Sequence, residues 1–228
     1  MFRVDNTTRQ LAQLAVVAFL MVSTSFAVSI TNGSFEAVQI TTAYSANPAD
    51  IPGWTHTGDV GDALLWHAGP QCCGGTGTGL AGQGNEFVTM GGGYGPFGSS
   101  AWSQTITGLT IGQAYAVDFM MAAEGESPTQ QLTVSMTSGS NTASQMFTSP
   151  VTNTLFWQNW GSDEYIFVPT ATSATLQFSV LNQQWDVGLD AISIAPVGVA
   201  GVPEPQTLAL LVCGLLGIAL TRNAYRRQ

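Results

Sequence analysis

The sequence between Val28 and Val202 contains no lysine and no arginine, because all five basic residues of the chain lie in its two terminal segments. A domain without cationic side chains cannot neutralise a phosphate backbone, which excludes nucleic acid as a partner. No carboxylate in this region can pair with a lysine or arginine. A buried carboxylate therefore needs backbone N–H groups, a histidine, a proton or a bound cation.

The same region is strongly acidic. Of the 14 acidic residues, Asp5 and Glu204 lie outside it, so it carries 12 carboxylates and a formal charge of −12. Anionic lipid surfaces and acidic polysaccharides are therefore poor ligands unless a metal ion bridges them.

Features typical of catalytic sites are also scarce. The chain has two histidines, His56 and His67, and it lacks a nucleophile-elbow serine and a metalloprotease helix motif. Glu124 and Glu126 have the residue types of an acid–base pair, but their surroundings indicate charged residues in a solvated turn. The sequence therefore predicts a protein that is not an enzyme, with a polysaccharide hydrolase as a less favoured alternative.

Cysteine is rare and uninformative. Cys213 lies in the C-terminal apolar segment, and Cys72 and Cys73 are adjacent in a glycine-rich stretch. Two adjacent cysteines lack the four-ligand pattern of a structural zinc site. A strained vicinal disulfide, a cross-link between two chains and two free thiols remain open.

The N-terminal segment has the composition of a secretory signal peptide. Arg3 and Arg9 precede a nearly continuous apolar run, and Ser25 and Ala27 supply small residues for cleavage after Ala27. An uncleaved anchor is the alternative, although the run is short for one. The predicted organisation is a signal peptide at 1–27, one domain at 28–201 and a separate segment at 202–228.

The C-terminal segment combines three parts in order. Pro203-Glu204-Pro205 is followed by an apolar run at 207–220 and then by three arginines, Arg222, Arg226 and Arg227. As a helix the run would span roughly 21 Å, which is short of the ~30 Å hydrocarbon core of a bilayer. The trailing arginines favour a cytoplasmic C-terminus, which places the domain outside.

These three parts resemble the PEP-CTERM sorting signal of Gram-negative bacteria. The resemblance implies recognition by an exosortase-type membrane transpeptidase and removal of the tail after its helix has held the protein in the membrane. It also implies delivery to the cell surface or the extracellular polysaccharide matrix. A permanent single-span anchor is the alternative.

The 28–201 region shows no sustained helical period, whereas short alternating runs recur between turn signals. Strands are predicted at 35–40, 63–67, 86–90, 101–107, 164–168 and 188–194, with others around Phe119, Val134 and Phe178. Many short strands indicate an all-β sandwich or barrel. Long glycine- and aromatic-rich loops at 42–57, 68–85 and 91–100 are expected to form a rim.

Four motifs occur in a characteristic order, namely Asn32-Gly33-Ser34-Phe35-Glu36, Ile51-Pro52-Gly53-Trp54, Trp102-Ser103-Gln104 and Gly188-Leu189-Asp190-Ala191-Ile192-Ser193-Ile194. This order resembles the galactose-binding-like jelly roll of xylan- and cellulose-binding modules. The insertion at 68–95 is longer than loops usual in that family. The resemblance implies a jelly-roll β-sandwich with a structural calcium ion that joins the opening and closing strands at Glu36 and Asp190.

The residues themselves also indicate Glu36 and Asp190 as candidate metal ligands. Each lies in an alternating run and is expected to share a strand face with the apolar residues of that run. Calcium takes carboxylate and carbonyl oxygens, so it would compensate both charges. The alternative is that both carboxylates lie at strand ends, where solvent or backbone N–H groups satisfy them.

Aromatic residues in or beside loops are candidate glycan contacts, because the apolar faces of sugar rings stack on aromatic rings. The candidates are Trp66, Tyr94, Trp157, Trp160 and Trp185. The alternative for each is packing in the core or rim, which is the expectation for Trp54 and Trp102. The predicted function is a structural or adhesive association with extracellular polysaccharide, and a carbohydrate-binding module with a defined glycan site is the alternative.

Overall fold

The computed structural model describes residues 28–58, 63–69, 81–91, 99–123, 130–149, 157, 159–181 and 186–198. The predicted signal peptide and the predicted sorting segment, with its proline and arginine motifs, lie outside these ranges. So do Cys72, Cys73, Glu124 and Glu126. Within the described ranges, no helix has the length and apolar character needed to cross a membrane.

Eleven β-strands form in the described residues. In chain order they are β1 (Tyr44–Ser45), β2 (Thr55–Gly58), β3 (Ala63–His67), β4 (Glu86–Met90), β5 (Ser100–Thr107), β6 (Tyr115–Ala123), β7 (Gln131–Ser138), β8 (Asn141–Thr148), β9 (Gly161–Phe167), β10 (Ser173–Val180) and β11 (Val187–Pro196). One 3-10 turn, Pro48–Asp50, follows β1, and the Asn47 side chain accepts from the Ala49 N–H at its start.

The strands form two antiparallel sheets, which confirms the predicted all-β sandwich. The larger sheet has six strands in the order β1-β3-β4-β11-β6-β9, and the smaller sheet has five in the order β2-β5-β10-β7-β8, counted over the described residues. Alternate side chains of both sheets fill the space between them. Phe119 of the larger sheet meets Phe178 of the smaller sheet with ring centroids 5.3 Å apart. Trp54 and Trp102 are buried in this core, as predicted.

These strands belong to one compact unit, Ala27–Gly198. The unit contains both sheets and its own hydrophobic core, so it has what a domain needs to fold independently.

The opening segment does not form the predicted strand at 35–40. It forms turns, in which Asn32 and Phe35 adopt left-handed φ values of 52° and 59°. The Asn32 side chain accepts from the Ala37 N–H, at 3.0 Å. The alternating pattern gives the wrong structure here, because the Asn32 side chain accepts a backbone N–H group that would bond to an adjacent strand if this segment were in a sheet.

Gln104 anchors this segment to the sandwich. Its Oε1 accepts from the Thr31 N–H at 2.7 Å, and its Nε2 donates to the carbonyls of Thr31 and Gly53 at 2.9 and 2.8 Å. The Trp54 indole N–H donates to the Asn32 carbonyl at 3.0 Å. Three of the four sequence motifs, those that contain Asn32, Trp54 and Gln104, are therefore in contact with one another.

A bulge in β11 reverses the predicted orientation of Asp190. The pairing of β11 with β6 shifts between Asp190 and Ser193, and Ala191 within the shift has φ 52°. Leu189 and Ile192 both enter the core between the sheets, so the extra residue leaves Asp190 on the opposite face. The prediction that Asp190 shares a face with Ile192 is therefore wrong, because simple alternation assumes a strand without a bulge.

Candidate functional site

Aromatic side chains cover the outer face of the larger sheet, which is the face directed away from the smaller sheet. Leu65 and Val88 point into the core between the sheets, so their strand neighbours Trp66 and Phe87 point outward. Trp157 packs against Phe87, and Trp160 packs beside them. These rings, together with Tyr44 on β1, are called the aromatic layer below.

The rings of the aromatic layer are in continuous contact. The Trp157 centroid lies 4.9 Å from Trp66 and 5.3 Å from Phe87. Phe87 also meets Trp160 edge to face at 5.4 Å, and Tyr44 meets Trp66 at 5.2 Å. These separations and tilts are those that aromatic pairs prefer.

Gly188 on β11 lets the two indoles lie on the sheet. A methyl group at this position would be 2.8 Å from Trp157 Cδ1 and 3.1 Å from Trp160 Cη2. The lack of a side chain on the outer face of β11 therefore creates the space that Trp157 occupies.

Exposure increases from the centre of the aromatic layer to its edge. Trp157 is fully buried, Trp66 and Trp160 are partly buried, and Tyr44 is 52% exposed. The Trp66 indole N–H is held by Thr89 Oγ1 at 3.0 Å, which fixes the ring beside Tyr44. Tyr44 and Trp66 thus form an accessible aromatic edge on a rigid support.

The predicted glycan contacts therefore separate into three groups. Trp66 and Trp160 lie in the aromatic layer with part of their surface accessible. Trp157 is buried, so its ring supports the layer and has no face for a ligand. Tyr94 and Trp185 lie outside the described residues. Sequence analysis did not include Tyr44, whose position beside Trp66 depends on the pairing of β1 with β3.

Hydrogen bonds hold the segment that follows Tyr44. Ser45, which follows Tyr44, donates its hydroxyl to Asp50 Oδ2, and the Asn47 amide donates to Asp50 Oδ1 at 3.3 Å. Ser45 is paired with Leu65, whose side chain enters the core, so these bonds lie on the face of β1 opposite to the Tyr44 ring and hold the segment in place.

Glu36 and Asp190 meet the same short segment, residues 82–86. Glu36 Oε1 accepts from the N–H groups of Asn85 and Glu86, both at 2.6 Å. Asp190 Oδ2 accepts from the Gln83 N–H at 2.7 Å, while Oδ1 accepts from the Ala191 N–H at 2.6 Å. The structure therefore brings the two predicted metal ligands to one segment. It also shows the backbone N–H contacts that the alternative interpretation expected.

Asp190 is fully buried, and this burial raises the pKa of its carboxyl from 3.8 to about 7. The hydrogen bonds from Gln83 and Ala191 lower the pKa, and the nearby charge of Glu36 raises it. No lysine or arginine of the domain opposes these effects, so the ionised form of Asp190 is costly at neutral pH.

The donor set suits a hard cation in part. Glu36 and Asp190 supply carboxylate oxygens, and the Ile192 N–H donates to the Gly33 carbonyl at 2.8 Å, so the opening segment and β11 meet here. Among the described residues, however, no group of three or more His, Cys, Asp or Glu side chains is placed to hold a metal ion. Further calcium ligands at this position would have to be backbone carbonyls or water.

Glu86 is a buried acidic residue that sequence analysis did not identify. Its Oε1 accepts from the Ile40 N–H at 3.3 Å and lies 2.9 Å from His67 Nδ1. Its Oε2 has no hydrogen-bond partner in the described part of the chain. The sequence did contain a signal for this burial, because alternation along β4 places Glu86 on the same strand face as the apolar residue Val88.

Comparison with known proteins supports the fold. TmCBM61, in a complex with beta-1,4-galactotriose, has a TM-score of 0.51 and 20% sequence identity over 73% of this chain and 96% of its own. The fold is a jelly-roll β-sandwich. The Family 16 Carbohydrate Binding Module-2 scores 0.46 at 14% identity, over 73% of this chain and 98% of its own. The CBM22-1 xylan-binding domain of Paenibacillus barcinonensis Xyn10C scores 0.44 at 14% identity, over 78% and 99%.

No protein-family model matches the sequence, and no curated protein matches it. Of the three structures named above, TmCBM61 alone exceeds a TM-score of 0.5, and at 20% identity its likeness concerns the fold. Any function for this chain must therefore be argued from its own residues.

Proposed function

We propose that this protein is an exported, non-catalytic protein that binds neutral polysaccharide at the accessible aromatic edge of Tyr44 and Trp66. The observation that carries the proposal is the exposed Tyr44 ring in contact with a partly exposed Trp66, supported from behind by buried Trp157. The absence of lysine and arginine from the domain favours uncharged glycans over acidic ones.

The proposed cellular setting comes from the terminal segments. The signal peptide at 1–27 exports the chain, and the PEP-CTERM-like segment at 202–228 directs it to an exosortase-type transpeptidase of a Gram-negative bacterium. The membrane holds the protein until the tail is processed. The domain then associates with extracellular polysaccharide at the cell surface or in the matrix, in a structural or adhesive role. An alternative within this proposal is a carbohydrate-binding module dedicated to one glycan.

Replacement of Tyr44 by alanine should weaken glycan binding by about fivefold, because one stacked ring is worth roughly 1 kcal/mol. Affinity electrophoresis or calorimetry with the 28–202 domain measures this. β-1,4-Galactan is the first neutral probe, since TmCBM61, a module with this fold, was solved with a β-1,4-galactotriose. The same measurement is made with other neutral polysaccharides, and with polygalacturonate as the acidic polysaccharide for comparison.

The matched control for this measurement is Ile111→Ala. Ile111 is 60% exposed and lies outside the aromatic layer, so its loss should leave the affinity unchanged. Equal binding by the parent domain and Tyr44→Ala would place the glycan site elsewhere. Preference for polygalacturonate over every neutral glycan would contradict the proposal itself.

We also propose that calcium binds between Glu36 and Asp190. Calcium at about a hundredfold excess over its dissociation constant adds about 2.7 kcal/mol to stability, which raises the melting temperature of a domain of this size by roughly 5–11 °C. Thermal unfolding of the 28–202 domain with calcium and with a chelator measures this shift. The shift should be lost in Asp190→Ala and retained in Asp118→Ala, which removes an exposed carboxylate from β6. Equal melting temperatures in calcium and chelator would remove the metal from the proposal.

A further inference from the structure

The two sheets end in four edge strands that differ in length and charge. β1 has two residues and β2 has four. β9 is longer, but it carries Asp163 and Glu164. β8 has eight residues and no charged side chain. Among the described strands, β8 is therefore the one long edge without charge.

β8 also lacks the features that normally prevent an edge strand from pairing with another chain. It contains no proline, and its pairing with β7 runs without a bulge from Thr148 to Asn141. All its residues except Phe147 are exposed. The described part of the chain provides one strand neighbour for β8, and one β8 carbonyl, that of Ala143, accepts from the Tyr165 hydroxyl at 2.9 Å. The other edge of β8 is a template for a further strand.

Charge is segregated between the two sheets. The five strands of the smaller sheet contain no acidic residue. All carboxylates of the described residues lie elsewhere, at Glu36, Asp50, Glu86, Asp118, Asp163, Glu164, Asp186 and Asp190. In a domain whose formal charge is −12, contact between two copies through the larger sheet would oppose like charges. Contact through β8 avoids this repulsion, which favours a second copy of the chain as the partner.

We propose that β8 pairs antiparallel with β8 of a second copy, so that two smaller sheets become one continuous sheet. An antiparallel edge is complementary to itself under two-fold symmetry. Pairing centred on Gln145 places Met146 of each copy opposite Ser144 of the other. Met146 is 58% exposed in the single chain and gains a cross-strand neighbour in the pair.

The dimer leaves the outer face of the larger sheet open on both copies. If each copy binds glycan as proposed above, the two aromatic edges of one dimer hold a long polysaccharide at two points, and the dimer binds it more tightly than a monomer does. The pairing itself does not depend on any glycan.

Sedimentation equilibrium of the 28–202 domain over a wide concentration range tests the pairing. The expected result is a mass that rises from monomer to dimer. Gln145→Lys should raise the dimer dissociation constant by roughly tenfold or more, because two lysines then face each other across the two-fold axis. Thr175→Lys is the matched control, since it adds the same charge to an exposed position on the central strand β10.

Ser144→Lys provides a second edge variant, and thermal unfolding verifies that each variant is folded. A parent domain that stays monomeric at every concentration overturns the proposal. So does a dimer that survives both edge variants, or one that Thr175→Lys weakens equally. Because no polysaccharide is present, failure here is distinct from failure of the glycan-binding measurements.

Discussion

Replacement of Trp157 by alanine should lower the free energy of unfolding of the 28–202 domain by about 3–5 kcal/mol, the range for large aromatic residues removed from a packed site. Trp157 is fully buried and contacts Trp66 and Phe87. Its backbone is held at φ 42°, a strained conformation that this packing must offset. Since small domains are stable by about 5–15 kcal/mol, the loss would be a large fraction of the total.

Urea unfolding of the parent and variant domains measures this loss. The matched comparison is Tyr44→Ala, which removes an aromatic ring from the exposed edge of the same layer and should cost less than about 1 kcal/mol. Trp157→Phe should recover part of the stability because it refills some of the cavity. A loss for Trp157→Ala as small as that for Tyr44→Ala would show that the outer face of the larger sheet is not a packed layer.

The strands that alternation identifies best are those with one face in the core. The predicted bounds of β3 and β4 agree with the structure, because Leu65, Val88 and Met90 occupy alternate buried positions. β8 could not be predicted in this way. Its residues are exposed on both faces apart from Phe147, and its strand conformation depends on pairing with β7.

The candidate site was predictable in its residue types but less so in its geometry. Tryptophans near loops indicated an aromatic surface. Because the domain has no basic residue to pair with a buried carboxylate, Glu36 and Asp190 were predicted as metal ligands. Neither pattern could show that β1 brings Tyr44 to Trp66, since that contact depends on a strand of two residues. The bulge at Ala191 could not be predicted either, because a bulge changes how β11 pairs with β6 and has no residue signature in this strand.

The burial of Asp190 should make the domain less stable as pH rises, when calcium is absent. The pKa of this carboxyl is about 7 in the folded chain against an ordinary value of 3.8, so between these values the folded state binds more protons than the unfolded state. Stability from this group is then complete below about pH 4 and is lost as pH rises through about 7. A shift of this size corresponds to up to about 4 kcal/mol.

Urea unfolding in chelator at several pH values between 4 and 8 measures this dependence, with Asp190→Asn and Asp118→Asn as the paired variants. Asp118→Asn makes the same chemical change at an exposed carboxylate on β6, the strand next to β11, and is therefore the matched comparison. The stability of Asp190→Asn should no longer fall as pH rises, because the variant has no carboxyl group at this position. It is also expected to lose one of the two backbone hydrogen bonds, so the difference in slope, rather than absolute stability, is the quantity to compare.

Calcium then separates the two interpretations of this carboxylate. If Glu36 and Asp190 hold the ion, added calcium should stabilise the parent more at pH 8 than at pH 5, because protons compete with the metal for Asp190. The same addition should have no effect on Asp190→Asn at either pH. If stability falls with pH as steeply in saturating calcium as in chelator, backbone N–H groups alone hold Asp190. Its carboxyl is then kept neutral by a proton, and no cation compensates it.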